Sequence, residues 1–240
     1  MWRHPARASN ACLPRKRVSV RKIFHENGLT IVIAGIFLIL LAGHSVAGFF
    51  TYNDDLRDHG QPPVPYTHYL TTGTFIESVT ENWESEFLEM GSFVIITRCL
   101  FQKGSSESKN PDAGPQEIDE EPEDHCNDPH APWPVRRGGW VLTIYRHSLS
   151  LGLLLLFLFS FTIHAAAGCR AYNENQRQHG QSPIAVSEFV ASSAFWFQAL
   201  QNWQSEFLGI GTMIVLSIFL REKGSPQSKP VHAPNWKTGE

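Results

Sequence analysis

Cysteine is scarce in this chain: four in 240 residues, Cys12, Cys99, Cys126 and Cys169, with no CxxC spacing. That pattern argues against a disulfide framework and against paired-thiolate zinc ribbons. The phosphate cradles GxGxxG and the P-loop, the GxSxG elbow and the HExxH helix are all missing, so no enzyme class announces itself. No stretch interleaves basic and aromatic residues as a nucleic-acid surface does, and nucleic acid is not expected as a partner. His125, Cys126 and His130 are close in sequence, but they sit in an Asp- and Pro-rich stretch with no second ligand pair, so neither metal nor cofactor is expected there. Formal charge is absent from two long stretches, residues 28–50 and 148–168, and that absence leads to the architecture.

What the chain does have is an internal repeat. Residues 25–109 reappear at 145–229, every matched position displaced by 120 without insertion or deletion. The matches begin with His44, Gly48, Tyr52, Asn53, Arg57, His59, Gly60, Gln61 and Pro63. A second cluster runs through Asn82, Trp83, Ser85, Glu86, Phe87, Leu88 and Gly91, and a third through Lys103, Gly104, Ser105, Ser108 and Lys109. A fixed period marks one supersecondary unit used twice, the second copy completing what the first cannot bury alone.

The unit reads as a membrane helix pair. Residues 28–50 hold one histidine and no charge over 23 positions, roughly 34 Å of helix against a ~30 Å hydrocarbon core. Residues 148–168 are the counterpart. A cleaved signal peptide is the rival for the first, with Ser45 and Ala47 suited to a peptidase, yet the same ending recurs in mid-chain at His164. The second helix of each unit has an apolar stretch too short to span, 87–101 or 207–220, and extends backward: Phe75, Val79, Trp83, Phe87 and Met90 share one helix face, as do Phe195, Ala199, Trp203, Phe207 and Ile210. Its outer third is amphipathic, carrying Glu77, Glu81 and Glu84 in the first copy, with Trp83 and Trp203 as interface anchors. The expected fold is therefore all-α: a membrane protein of four transmembrane helices, as two tandem, same-orientation helical hairpins with pseudo-twofold symmetry.

Basic residues orient it. Arg3, Arg7, Arg15, Lys16, Arg17, Arg21 and Lys22 precede the first span, whereas the loop from Thr51 to Glu86 holds only Arg57. Lys103, Lys109, Arg136, Arg137 and Arg146 lie between the units, and Arg221, Lys223, Lys229 and Lys237 follow the last span. Both termini and the middle segment are expected to be cytoplasmic. The predicted divisions are a basic cytoplasmic arm at 1–24, a first two-helix repeat at 25–103, a linker at 104–139, a second repeat at 140–223 and a cytoplasmic tail at 224–240. The linker holds nine acids between Glu107 and Asp128 with few large apolar residues, a composition that predicts disorder. The arm reads first as a topology signal and second as a contact for anionic headgroups, each basic residue worth ~1 kcal/mol near the surface.

Three repeated polar sets could carry chemistry. His44 and His164 lie near the outer end of their spans, one turn before Gly48 and Gly168. Their first reading is a hydrogen bond to a neighbouring helix, with the glycines permitting close packing. Proton handling or ligand contact comes second, and haem or metal ligation third. The following segments, YNxxxRxHGQxP, end a helix: Gly60 and Gly180 can take a left-handed cap, and proline then prevents continuation. Arg57 with His59, and Arg177 with His179, either form a polar rim or bond the loop's own backbone. Glu86 and Glu206 stand at the threshold of the apolar stretches and are expected to pair with His44 or Arg57, and with His164 or Arg177. Such sets could bind a cation or relay protons; the plainer reading is an interfacial salt bridge. Lys103-Gly104-Ser105 and Lys223-Gly224-Ser225 read as helix stops.

The string YNExxRxHGxxP at Tyr172 to Pro183, followed by NWQSEFLxxG at Asn202 to Gly211 and a KGSxxSK ending at Lys223 to Lys229, resembles a family of small bacterial integral membrane proteins described only as a domain of unknown function. The first copy carries the likeness at Asn53, Arg57, His59-Gly60, Asn82-Trp83 and Ser85 to Leu88, departing with Asp54 and Glu84 where the second has Glu174 and Gln204. The resemblance implies a multi-pass protein of the bacterial plasma membrane and no particular activity. The leading expectation is a non-enzymatic structural or partner-binding protein, in contact with the lipid bilayer and with other membrane proteins or a second copy of itself. Its rival is a small proton- or cation-coupled transporter or channel using the Glu and His sets; a haem redox protein is third.

Overall fold

The computed structural model describes residues 20–114 and 116–239. Most of the basic arm, with Arg3, Arg7, Arg15, Lys16, Arg17 and Cys12, lies outside the described residues. Every regular element among those described is helical, and the chain divides into two compact units, 1–63 and 64–240.

The first unit consists of α1 (Val20–Asp58), broken only at Asn27, where φ is −128° and ψ is 16°. The second contains the one-turn α2 (Tyr66–Tyr69), α3 (Gly73–Cys99), the short α4 (Trp133–Arg137) and α5 (Gly139–Tyr145), then α6 (Ser148–Gln178), one-turn α7 (Val186–Val190) and α8 (Ser193–Phe219). Two helices are long and apolar enough to cross a membrane, residues Arg21–Asp58 and Ser148–Gln178. Helices α3 and α8 have 27 residues each, about 40 Å of rise. They fall short on apolarity because of the glutamates of α3 and the Gln, Asn and Glu side chains of α8.

The helix ends follow from local chemistry. After α1 and α6 the chain reverses at Gly60 (φ +69°) and Gly180 (φ +70°). Gln61 N–H donates to Leu56 O at 2.8 Å and Gly60 N–H to Arg57 O at 2.9 Å, and Gln181 and Gly180 repeat this at 2.8 and 3.0 Å. These are paired Schellman bonds, which a glycine in the left-handed region permits. Helices α3 and α8 begin at side-chain caps: Phe75 N–H donates to the Thr72 hydroxyl at 3.3 Å and Phe195 N–H to that of Ser192 at 3.4 Å.

Those two helices stop sooner than the KGS segments suggest. The backbone turns extended at Leu100 and Leu220, four residues before Gly104 and Gly224, which occupy a later turn at φ +90° and +87°. Ser108 Oγ accepts from Gln102 N–H at 2.8 Å and Ser228 Oγ from Glu222 N–H at 2.9 Å, so the motif closes a polar loop beyond the helix.

In the second unit α3 packs chiefly against α6 and also meets α8, with α7 against both α6 and α8. Helices α3 and α6 approach closely at Gly73, where a Cβ would stand 2.6 Å from Ala171 N and 2.7 Å from Ala167 O. The buried face of α3 is Gly73, Glu77, Thr80, Glu84, Ser85 and Gly91. The helix is amphipathic with its polar side inward: the acids point into the bundle, while Phe75, Val79 and Trp83 are only half-buried and Met90 is exposed. The apolar core is correspondingly small, built from Ala165, Cys169, Phe189 and Phe195.

Residues 104–139, expected from composition to be disordered, carry turns, 3-10 segments at Glu117–Asp119 and Pro122–His125, and α4. Their acids meet nearby bases: Lys103 pairs with Asp112, Lys109 with Asp119 at 2.5 Å, His125 with Glu120 at 2.9 Å and Arg146 with Glu123. The tail closes on the same region. Gly239 N–H donates to Ser105 O at 2.9 Å, Gly104 N–H to the Thr238 hydroxyl at 3.0 Å, and the Ser105 and Ser217 hydroxyls meet at 2.8 Å. Buried Lys229 donates to the carbonyls of Gly104, Asn235 (3.0 Å) and Lys237 (2.8 Å). Burial, with the Arg221 charge nearby, holds its ammonium below the usual lysine range.

Candidate functional site: a buried acid and histidine cluster

Three turns of α3 aim carboxylates at one imidazole. Glu77, Glu81 and Glu84 are spaced by four and three residues and so share a helix face. His164 on α6 and Glu84 are both 0% exposed, with Nδ1 to Oε2 at 2.6 Å. The other oxygen of Glu84 accepts from the Trp203 indole N–H at 3.0 Å. Phe195 covers the imidazole, ring centroids 4.9 Å apart.

Each remaining acid has a polar neighbour on α8. Gln198 Nε2 donates to Glu77 Oε1 at 3.0 Å, and the Asn202 side chain stands beside Glu81. One ring nitrogen of His164 and one oxygen each from Glu77 and Glu81 lie within 4.8 Å of one another. With Nδ1 engaged by Glu84, Nε2 is buried without a partner, and Gln198 Oε1 likewise. An unsatisfied buried polar atom costs ~1–3 kcal/mol. Among the described residues no lysine or arginine lies within ion-pair distance of Glu77, Glu81 or Glu84. The cluster is thus acid-rich, shielded and incompletely satisfied.

The pairing forecast for Glu86 and Glu206 is corrected. Glu84, not Glu86, meets His164, because two residues along an α-helix turn the side chain by about 200°, and Glu86 is exposed. Glu206 is half-buried with Ser85 nearby, but its charged neighbour is Glu86, with Glu89 adjacent to both. Among the described residues neither Glu86 nor Glu206 has an ion pair with a base. Arg57 pairs instead with Asp54 at 2.6 Å, one turn away on α1. His44 is exposed on the same helix, and Arg177 is exposed in the last turn of α6.

The loop histidines bond backbone: His59 Nδ1 reaches Asp55 O and His179 Nδ1 reaches Asn175 O, each at 2.9 Å. Asn173 supplies a further constraint, donating to Ile184 O at 2.9 Å and accepting from Ile184 N–H at 2.8 Å, which ties the proline loop to α6. Gly168 is buried where a Cβ would lie 2.9 Å from the Phe189 ring and 3.0 Å from Glu77 Oε1. Gly48 is half-buried on α1, Trp83 is half-buried on α3, and Trp203 is a hydrogen-bond donor to the cluster. His125, Cys126 and His130 are exposed; the one group with metal-ligand proximity among the described residues is Glu77, Glu81 and His164.

Sequence reasoning passed over Glu77, Glu81, Gln198 and Asn202 as site residues. A signal existed: 120 positions on from the three acids stand Phe197, Gln201 and Gln204, so acids occur in only one of two otherwise matched helices.

An all-helical chain with two membrane-length helices and a polar cluster buried between others defines the class. The chain belongs to the DUF6766 family, a domain of unknown function, which matches residues 20–240. No curated protein and no solved structure matches it.

Proposed function

We propose that this is a multi-pass protein of a bacterial plasma membrane that holds a cation at the Glu77, Glu81, Glu84 and His164 cluster. In this reading α1, α3, α6 and α8 are four spans, arranged as two tandem hairpins of like orientation with cytoplasmic termini. The inward polar face of α3 and the exposed apolar surfaces of α1 and α6 support the spans; the bias of Lys and Arg supports the orientation. The observation that carries the function is the gathering of three carboxylates on one fully buried imidazole with no lysine or arginine among the described residues to balance them. Ionisable groups inside a membrane bundle are costly and mark ion or proton paths.

Two experiments test this. Cysteine-accessibility labelling at Ser106 and Thr67 reads the topology: Ser106 reacts from the cytoplasm and Thr67 from outside, and external labelling at Ser106 overturns it. Purified protein in liposomes is assayed for cation flux and for cation-dependent thermal stability, alongside Glu77→Gln and Glu81→Gln. Loss of the cation response in the variants supports the reading. Parent protein with no response to any cation favours a purely structural, partner-binding role for the same hydrogen bonds.

A further inference from the structure

We infer that the cluster is a binding site for a divalent transition metal, with Glu77, Glu81 and His164 as ligands and Glu84 as the positioning residue that orients the imidazole; this rests on the cation reading above. Four independent features converge on it. One ring nitrogen of His164 and one oxygen each from Glu77 and Glu81 already lie within 4.8 Å of one another. A tetrahedral ion with bonds of ~2.0–2.2 Å sets its ligands about 3.4 Å apart, a closure that rotation of the two glutamate side chains supplies.

The second feature is the free ring nitrogen. Glu84 engages Nδ1 at 2.6 Å and is itself fixed by the Trp203 indole. A carboxylate on one imidazole nitrogen places the proton there and leaves a lone pair on the other, the arrangement that metal-bound histidines use. Here Nε2 is buried with no protein partner. Third, Glu77 has outer support from Gln198, and the Asn202 side chain stands beside Glu81. Fourth, Gly168 leaves open the space beside Glu77 Oε1 that a Cβ would crowd.

The donor set selects the ion. One imidazole nitrogen with two carboxylates suits zinc, manganese or iron(II), whereas calcium and magnesium take oxygen ligands almost throughout. Three protein ligands leave a coordination position for water or another small ligand, as in open rather than purely structural sites. Positions 197, 201 and 204 lack acids, so one site per chain is expected.

The test uses tag-free full-length protein in detergent, stripped with a chelator, loaded with zinc, desalted and analysed for bound metal. Cobalt is loaded in parallel to read the ligand field by absorption. We expect one zinc per chain, abolished in Glu81→Gln and His164→Gln. Affinity in Glu84→Gln should fall roughly 10- to 100-fold, with an altered cobalt spectrum, since removing an outer-shell partner weakens a metal site by that factor. A triple variant His125→Ala, Cys126→Ser, His130→Ala should retain the zinc. Wild-type elution profiles establish that each variant is folded; where Glu81→Gln fails that control, Glu77→Gln replaces it. Zinc-free wild type, or zinc unaffected in His164→Gln, overturns the assignment. Zinc-free protein that sodium stabilises through Glu77 and Glu81 sinks the transition-metal inference alone, and protein responsive to no cation sinks both readings.

Discussion

Replacing Glu84 by alanine isolates the pair at the centre of the cluster. The substitution removes the acceptor for His164 Nδ1 at 2.6 Å and for the Trp203 indole at 3.0 Å, in a site where the carboxylate and the imidazole are both 0% exposed. Removing one partner of a buried pair costs ~3–5 kcal/mol, mostly because the other is left without compensation. At roughly 2–4 °C per kcal/mol for a domain of 150–250 residues, the melting midpoint should fall by about 6–20 °C. Glu84→Gln keeps an oxygen for Trp203 and an amide for the imidazole, so about 1–2 kcal/mol is expected. Glu86→Ala is the control: two residues away and exposed, it should stay within ~0.5 kcal/mol of the parent. The assay is the fraction of monodisperse protein remaining after heating in detergent, followed by size-exclusion chromatography. A Glu84→Ala midpoint no lower than that of Glu86→Ala would refute the buried pair and return His164 to another partner.

Further outcomes follow from other contacts. Gly73→Ala places a methyl group against the backbone of Ala167 and Ala171 and should cost ~1–3 kcal/mol by overpacking; Gly209→Ala, with nothing within 4 Å, should be neutral or gain up to ~1 kcal/mol from helix propensity, and equal effects in thermal scans would contradict the α3–α6 crossing. Lys229→Met keeps the aliphatic stem but removes donors from the carbonyls of Gly104, Asn235 and Lys237, so hydrogen exchange at 104–106 and 235–239 should accelerate. The hydrogen bond from Lys109 holds the Asp119 carboxyl below its ordinary value. Its contribution to loop order is therefore complete above the unfolded pKa of ~3.9 and disappears as pH falls through the lower folded value; carboxyl NMR of Asp119 should show the depressed midpoint, and Lys109→Met should restore it.

Much of the fold was legible because a few residue types have narrow conformational meanings. Gly60 and Gly180 predicted left-handed helix ends, and both have positive φ. Gly168 predicted a close approach, and it faces Phe189 and Glu77. The backward extension of the shorter apolar stretches is realised in α3 and α8. The site was less legible, because periodicity identifies a helix face without saying which medium it meets. Phe75, Val79 and Trp83 share one face by spacing alone, and it is the polar side of the helix, with Glu77, Thr80 and Glu84, that is buried. In water that assignment would be costly; against a bilayer the apolar side can face lipid. Attention to repeated residues also favoured Glu86 over Glu84, while the asymmetry of residues 77, 81 and 84 marked the cluster. Ser108 and Ser228, three residues beyond the KGS triplets, accept backbone hydrogen bonds across a loop, a consequence that helix-stop signals do not encode.

The polar face of α3 also bears on how the chain enters a membrane in the four-span arrangement. A segment carrying Glu77, Glu81 and Glu84 gains little from hydrocarbon alone, while the imidazole, amide and indole groups that hydrogen-bond these acids stand at 164, 198 and 203. At roughly 5–20 residues per second, a ribosome that has just completed residue 84 needs a further ~4–16 s to reach His164. If α3 is a span, it would wait during biogenesis, at the insertion machinery or in the interface, until α6 arrives. Full insertion becomes an act of the assembled second unit: a chain truncated before His164 should leave α3 accessible to soluble reagents even though its own 27 residues are present.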